Sequence, residues 1–236
     1  MSDKHGRIPS KSSRAEVDAF LRRVAATPAP RPSGRRGRLI FALDATASRE
    51  PTWDHASHIQ AQMFEAAAAV GGLDIQLCYY RGFGEFVVSP WVSDAAALLR
   101  RMTGVVCLAG HTQIGKVLSH ALQEIARHKV DALVFVGDCM EEDVDRLGDL
   151  AGRLGVHGVP VFLFQEGGDP LAESTFRHIA RLTKGAWCPF DAASADQLRD
   201  LLSAVAVYAA GGRRALEDFG KARGGVVPRL IQRLKE

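Results

Sequence analysis

Cysteine is scarce in this 236-residue chain. Its four residues, Cys78, Cys107, Cys139 and Cys188, are scattered through mostly apolar segments. No pair has metal-ligand spacing, so neither a thiolate metal site nor a disulfide framework is expected. Free buried thiols in a reducing cytoplasm fit the pattern. Long apolar runs are also missing. Every hydrophobic stretch is strand-sized, too short to span a bilayer. The first residues are polar and contain no apolar core of a secretory signal. The net charge is only +3, too small to point to nucleic acid. That excess is uneven, because residues 1–38 carry ten Lys and Arg against Asp3, Glu16 and Asp18. The remainder is slightly acidic. Apolar residues make up 47% of the chain, enough for one core of ordinary size.

What the chain does contain is an alternation of apolar strand-like runs with helical patterns. After Arg38, residues 39–43 are apolar and lead into Asp44-Ala45-Thr46-Ala47-Ser48, which reads as a buried parallel strand ending at its carboxyl edge. A helix is expected over 54–70, closed by Gly71-Gly72. Residues 74–80 and 85–89 read as a hairpin across Arg81-Gly82-Phe83-Gly84. Ser93-Asp94 caps a short helix ending near Met102. A loop over 105–112 then feeds a helix over 113–128. A central strand over 130–137 ends at Asp138, and an acidic helix start, Glu141-Glu142-Asp143, follows it. Residues 158–165 form another strand, Asp169-Pro170 opens a helix, 185–190 form an edge strand that tolerates Pro189, and 195–210 form a last helix. This order predicts an α/β fold, a doubly wound and mainly parallel six-stranded sheet with one antiparallel edge strand and helices on both faces.

Three parts are expected along the chain. Residues 1–37 form a basic arm with a short amphipathic helix over 15–26 and a Pro/Gly/Arg linker. Residues 38–210 form the domain, and 211–236 a helical tail that packs back or faces a partner.

In Asp44-x-Thr46-x-Ser48 three oxygens lie close enough for one loop to aim them at a single hard cation. The stretch resembles the metal-ion-dependent adhesion site (MIDAS) of von Willebrand factor A (VWA) domains, usually Asp-x-Ser-x-Ser, with Thr46 in the first hydroxyl position. Gly110-His111-Thr112-Gln113-Ile114-Gly115 resembles the second loop of that site, Gly-Gly-Thr-x-x-Gly, with His111 replacing a glycine. Asp138 stands in the family's third position, and the element order from Arg38 to about Ala210 is similar throughout. The resemblance implies a Rossmann-like VWA fold of bacterial intracellular type. It also implies Asp44, Thr46, Ser48, Thr112 and Asp138 as ligands of Mg²⁺ or Mn²⁺. The implied function is non-enzymatic protein binding, with the open metal position taken by a partner's acidic side chain. AAA+ ATPases are among the partners of such adaptors and assembly modules.

Other readings stay open at this point. The same fold could serve as a metal-free scaffold. Gly110 to Lys116 matches Gly-x₄-Gly-Lys, the start of a nucleotide-binding P-loop, but Val117 stands where a Mg²⁺-holding hydroxyl is needed. His55 and His58 could share a metal, although a solvated helix face suffices to explain them. The basic arm could bind RNA or anionic lipid. Tyr79, Tyr80, Phe83 and Phe86 are expected in a sheet-edge core.

Overall fold

The computed structural model describes residues 36–49, 72–190 and 195–222, together with Ala19 and Arg23. The helix expected over 54–70, the two histidines on it and most of the N-terminal arm lie outside the described residues. Six strands form one sheet: β1 (Gly37–Asp44), β2 (Leu73–Arg81), β3 (Glu85–Val88), β4 (Ala132–Gly137), β5 (Val161–Glu166) and β6 (Ala186–Phe190). Their order is β3-β2-β1-β4-β5-β6, parallel except for the β2–β3 hairpin. Five helices complete the described structure: α1 (Ala95–Met102), α2 (Ile114–Arg127), α3 (Val144–Val156), α4 (Pro170–Leu182) and α5 (Ala195–Ala222). α5 breaks at Gly212, whose φ of 71° is open to glycine. Beyond that kink Leu216 is buried in the core, so the start of the expected tail packs back on the sheet.

Because side chains alternate along a strand, β1 feeds two cores. Leu39, Phe41 and Leu43 join residues of α1 and α5, including Met102 and Tyr208, on one face. Ile40 and Ala42 join Ile114, Leu147 and Phe176 of α2, α3 and α4 on the other. With both faces covered, β1 and β4 are buried almost throughout.

The helix starts follow local chemistry. Asp94, Asp143 and Asp169 each accept a backbone N–H two or three residues into their own helix. α2 is the exception, because Gln113 at its N-cap makes no side-chain capping bond.

The order matters for function. The chain leaves β1 toward β2 on one side and later returns to β4 on the other, so a crevice opens at the carboxyl ends of β1 and β4. Ligands of doubly wound sheets bind at such a switch point. Asp44 is the last residue of β1, and Asp138 directly follows β4.

Candidate metal centre

Asp44 is buried and shapes the first loop. Its Oδ1 accepts the Thr46 N–H at 2.7 Å, and its Oδ2 accepts the Tyr80 hydroxyl at 3.1 Å. The first bond is an Asx-type turn that folds the chain back toward the acid. A 3₁₀ turn over Ala47–Arg49 follows and brings the Thr46 and Ser48 hydroxyl oxygens within 3.4 Å. Burial, reinforced by the Asp44 carboxylate, pushes the Tyr80 phenol well above its ordinary range. Tyr80 therefore stays a protonated donor.

Asp138 closes the cluster from the neighbouring strand. Its Oδ2 accepts the Ser48 hydroxyl at 2.8 Å, while its Oδ1 is buried with no N–H or O–H donor in range, and the neighbouring Cys139 thiol interacts with the carboxylate. Gly137, just before it, leaves room for the Phe135 ring, from which a Cβ there would lie 2.8 Å. Burial, followed by the Asp138 carboxylate, pushes the Cys139 thiol up to about 12. With no cation beside it, Cys139 is thus a neutral thiol.

Thr112 arrives from a long loop between α1 and α2, not from a strand end. That loop is stitched to the first one, with Leu108 N donating to Ala45 O at 3.0 Å. It also packs on the hairpin turn, where a Cβ on Gly110 would lie 2.0 Å from the Gly82 carbonyl oxygen. The Thr112 hydroxyl accepts the Glu141 N–H at 3.1 Å, which ties Thr112 to the segment that follows Asp138. The structure thus joins Asp44, Thr46, Ser48 and Asp138 in one hydrogen-bonded cluster and ties Thr112 to Glu141, three residues beyond Asp138.

Glu141 and Glu142 do not serve the helix that follows them. The Glu142 carboxylate accepts the Ile114 N–H and, at 2.9 Å, the Gly115 N–H. It supplies the cap that Gln113 does not give α2, because an anion at a helix N-terminus meets unpaired N–H groups and the favourable end of the dipole. This arrangement speaks against the P-loop reading. The N–H groups that would cradle a phosphate already hold Glu142, and the Lys116 ammonium donates to Gly84 O and Gln113 Oε1, both at 2.7 Å. His111 does not crowd the cluster. Its exposed ring sits 3.1 Å from Glu141 Oε2 and edge-on to Phe83.

Sequence reasoning missed Tyr80 as part of the site and missed the bonds that Glu141 and Glu142 make to the Thr112 loop and α2. Tyr80 carried a usable signal only once the β1–β2 register, which pairs it with Asp44, was known. Phe83, expected in the core, is 83% exposed at the hairpin tip.

Among the described residues, no three His, Cys, Asp or Glu side chains are grouped to hold a metal. A cation here would depend on hydroxyls. The donor set suits a hard divalent ion, with two carboxylates, three hydroxyls and no sulfur or imidazole. The donorless Asp138 Oδ1 fits it too, since a buried carboxylate oxygen without a partner is costly and a cation would satisfy it.

No protein-family profile matches the chain, and no curated protein matches it by sequence. Solved structures do. The SpRpn10 VWA domain is 16% identical, with a TM-score of 0.56 over 71% of this chain and 94% of that one. A von Willebrand factor type A structure from Catenulispora acidiphila is 15% identical, with a TM-score of 0.57 over 73% of this chain and 43% of that one. Proximal thread matrix protein 1 from the mussel byssus, solved with a zinc-occupied MIDAS motif, is 15% identical, with a TM-score of 0.58 over 73% of this chain and 46% of that one. This chain therefore spans less than half of the last two. The fold is that of a VWA domain. Among the described residues, no helix is long and apolar enough to cross a membrane.

Proposed function

We propose that this VWA-fold chain is a protein-binding module that works through a divalent cation held by Asp44, Thr46, Ser48, Thr112 and Asp138. The observation that supports the reading is the hydrogen-bonded cluster of Asp44, Thr46, Ser48 and Asp138 at the β1–β4 switch point, with Thr112 bonded to Glu141 three residues beyond Asp138. Mg²⁺ or Mn²⁺ suits the oxygen-only donor set. When bound, such an ion supplies an open coordination position that accepts a carboxylate from a protein partner. The chain's own residues do the rest. Asp44 fixes the loop through Thr46, Tyr80 holds Asp44, and the Glu141 N–H orients the Thr112 hydroxyl. A zinc-occupied site in a protein of the same fold supports divalent binding at this edge. In this reading the domain of residues 38–210 is a cytoplasmic bacterial adaptor, AAA+ ATPases are one partner class, and the arm and tail flank the binding domain.

The test is thermal unfolding of the full chain in EDTA and then in Mg²⁺ or Mn²⁺, for wild type and Asp138→Ala. A metal-dependent rise in wild type that is absent in the variant is the expected result. Equal curves with and without metal in wild type, far above any useful affinity, would return the chain to a metal-free scaffold.

A further inference from the structure

Six large apolar side chains are exposed among the described residues: Phe83, Val106, Leu108, Val144, Val156 and Leu171. Single exposed apolar residues are ordinary on a protein surface. Their placement here is not. The hairpin tip, the α1–α2 loop and the first turns of α3 and α4 all lie at the carboxyl edge of the sheet, so five of the six sit on the edge that carries the candidate metal centre. Val156, at the end of α3, is the exception.

Phe83, Val106 and Leu108 form a ridge on the Thr112 side of that centre. The ridge is held in place by its backbone. Arg81 donates to Val106 O at 2.7 Å, Gly82 N to Leu108 O at 3.4 Å, and His111 N to Gly82 O at 3.3 Å. Leu108 N is itself bonded to Ala45 O, inside the Asp44-x-Thr46 loop. The apolar surface and the ligand loop therefore form one preorganised unit. Such surfaces bind at a low ordering cost, and a projecting aromatic beside a desolvated polar contact is a usual interface anchor.

We infer that this ridge is the docking surface for a partner segment whose ligating carboxylate is directly flanked by a bulky apolar side chain. The inference rests on the metal-centre reading above and narrows its partner. Because Leu108 is bonded to Ala45 inside the first loop, a segment that brings a carboxylate to the centre lies beside this ridge, and its sequence neighbours meet apolar surface. A segment with only polar neighbours would leave that surface covered but unmatched.

The probe is a random-peptide phage library panned on the immobilised full chain in Mn²⁺, with parallel panning in EDTA and on Phe83→Ser/Leu108→Ser and Asp138→Ala. The expected result is enrichment of peptides with Asp or Glu next to Leu, Phe, Ile or Met. EDTA and Asp138→Ala should abolish it. Recovery on the ridge variant should fall by about tenfold or more, the scale of losing one anchor residue. Acidic peptides with no apolar preference, recovered equally on the ridge variant, would overturn the docking surface and leave the metal centre standing. Apolar peptides indifferent to EDTA and to Asp138→Ala would overturn the metal-centre reading and, with it, the carboxylate-coupled ridge. No enrichment over uncoated wells would overturn the inference as well. Both ridge side chains are exposed, so melting in EDTA should match wild type, and Phe83→Ala alone serves if the double variant melts early.

Discussion

Asp131 at the amino edge of the sheet and Asp138 at the carboxyl edge are satisfied to different degrees, although Asp44, beside Asp138, is bonded at both oxygens. At the amino edge, Asp131 accepts the Arg38 N–H at 2.9 Å and pairs with Lys129 at 3.1 Å. Nearby Glu124 accepts the Trp91 indole N–H at 3.1 Å, with Arg127 at 3.7 Å. At the carboxyl edge Asp138 receives one hydroxyl and keeps a buried oxygen with no donor. A protein satisfies a buried acid when its role is structural, because an unpaired one is costly. Asp138, short of donors beside the Ser48 hydroxyl, is the acid that the proposed cation would satisfy.

Metal should produce the largest contrast between the edges. At a free concentration a hundred times Kd, a cation that binds only the folded state adds about 2.7 kcal/mol. Asp138→Ala should abolish that gain yet leave the EDTA melt nearly unchanged, as measured by differential scanning calorimetry. Asp131→Ala should do the reverse. It strands the Arg38 N–H and costs about 2 kcal/mol in urea unfolding, with or without metal. Glu142→Ala should cost about 1 kcal/mol by uncapping α2, and amide exchange at Ile114 and Gly115 should quicken first.

The smallest effect concerns pH on the α2 face. Burial, with a smaller contribution from Arg127, holds the His120 imidazole below its ordinary value near 6.5, although Glu124 opposes the shift. The neutral ring donates to Gln76 Oε1 at 2.8 Å. The unfolded chain therefore binds a proton before the folded one does, so this residue's contribution to stability falls as pH drops below about 6.5. His120→Gln should flatten that part of the stability profile, read by melts across pH 5 to 8.

Much of the fold was legible because its signals are local. Asp94, Asp143 and Asp169 cap their own helices within a few residues, and the short apolar runs of β1, β4 and β5 declared buried strands. The Gly82 turn declared the hairpin. The acid and hydroxyls after β1, and the acid after β4, were legible as a group only through resemblance to a known site. What stayed hidden was long-range. Glu142 looked like part of its own helix start, and nothing within a few residues shows that it reaches Ile114. Phe83 looked like core, because composition does not say which way a hairpin tip points.

By itself, then, the sequence determined the kinds of element, their order and the oxygen-bearing residues that end the strands. Periodicity and capping act over a few residues and need no partner. Only the tertiary structure decided what those oxygens meet. The Tyr80 hydroxyl reaches Asp44 across 36 residues and Ser48 reaches Asp138 across 90, through strand register and crossover. Desolvation and hydrogen bonding, which satisfy Asp131 and leave Asp138 short of donors, exist only once those distant segments are packed together.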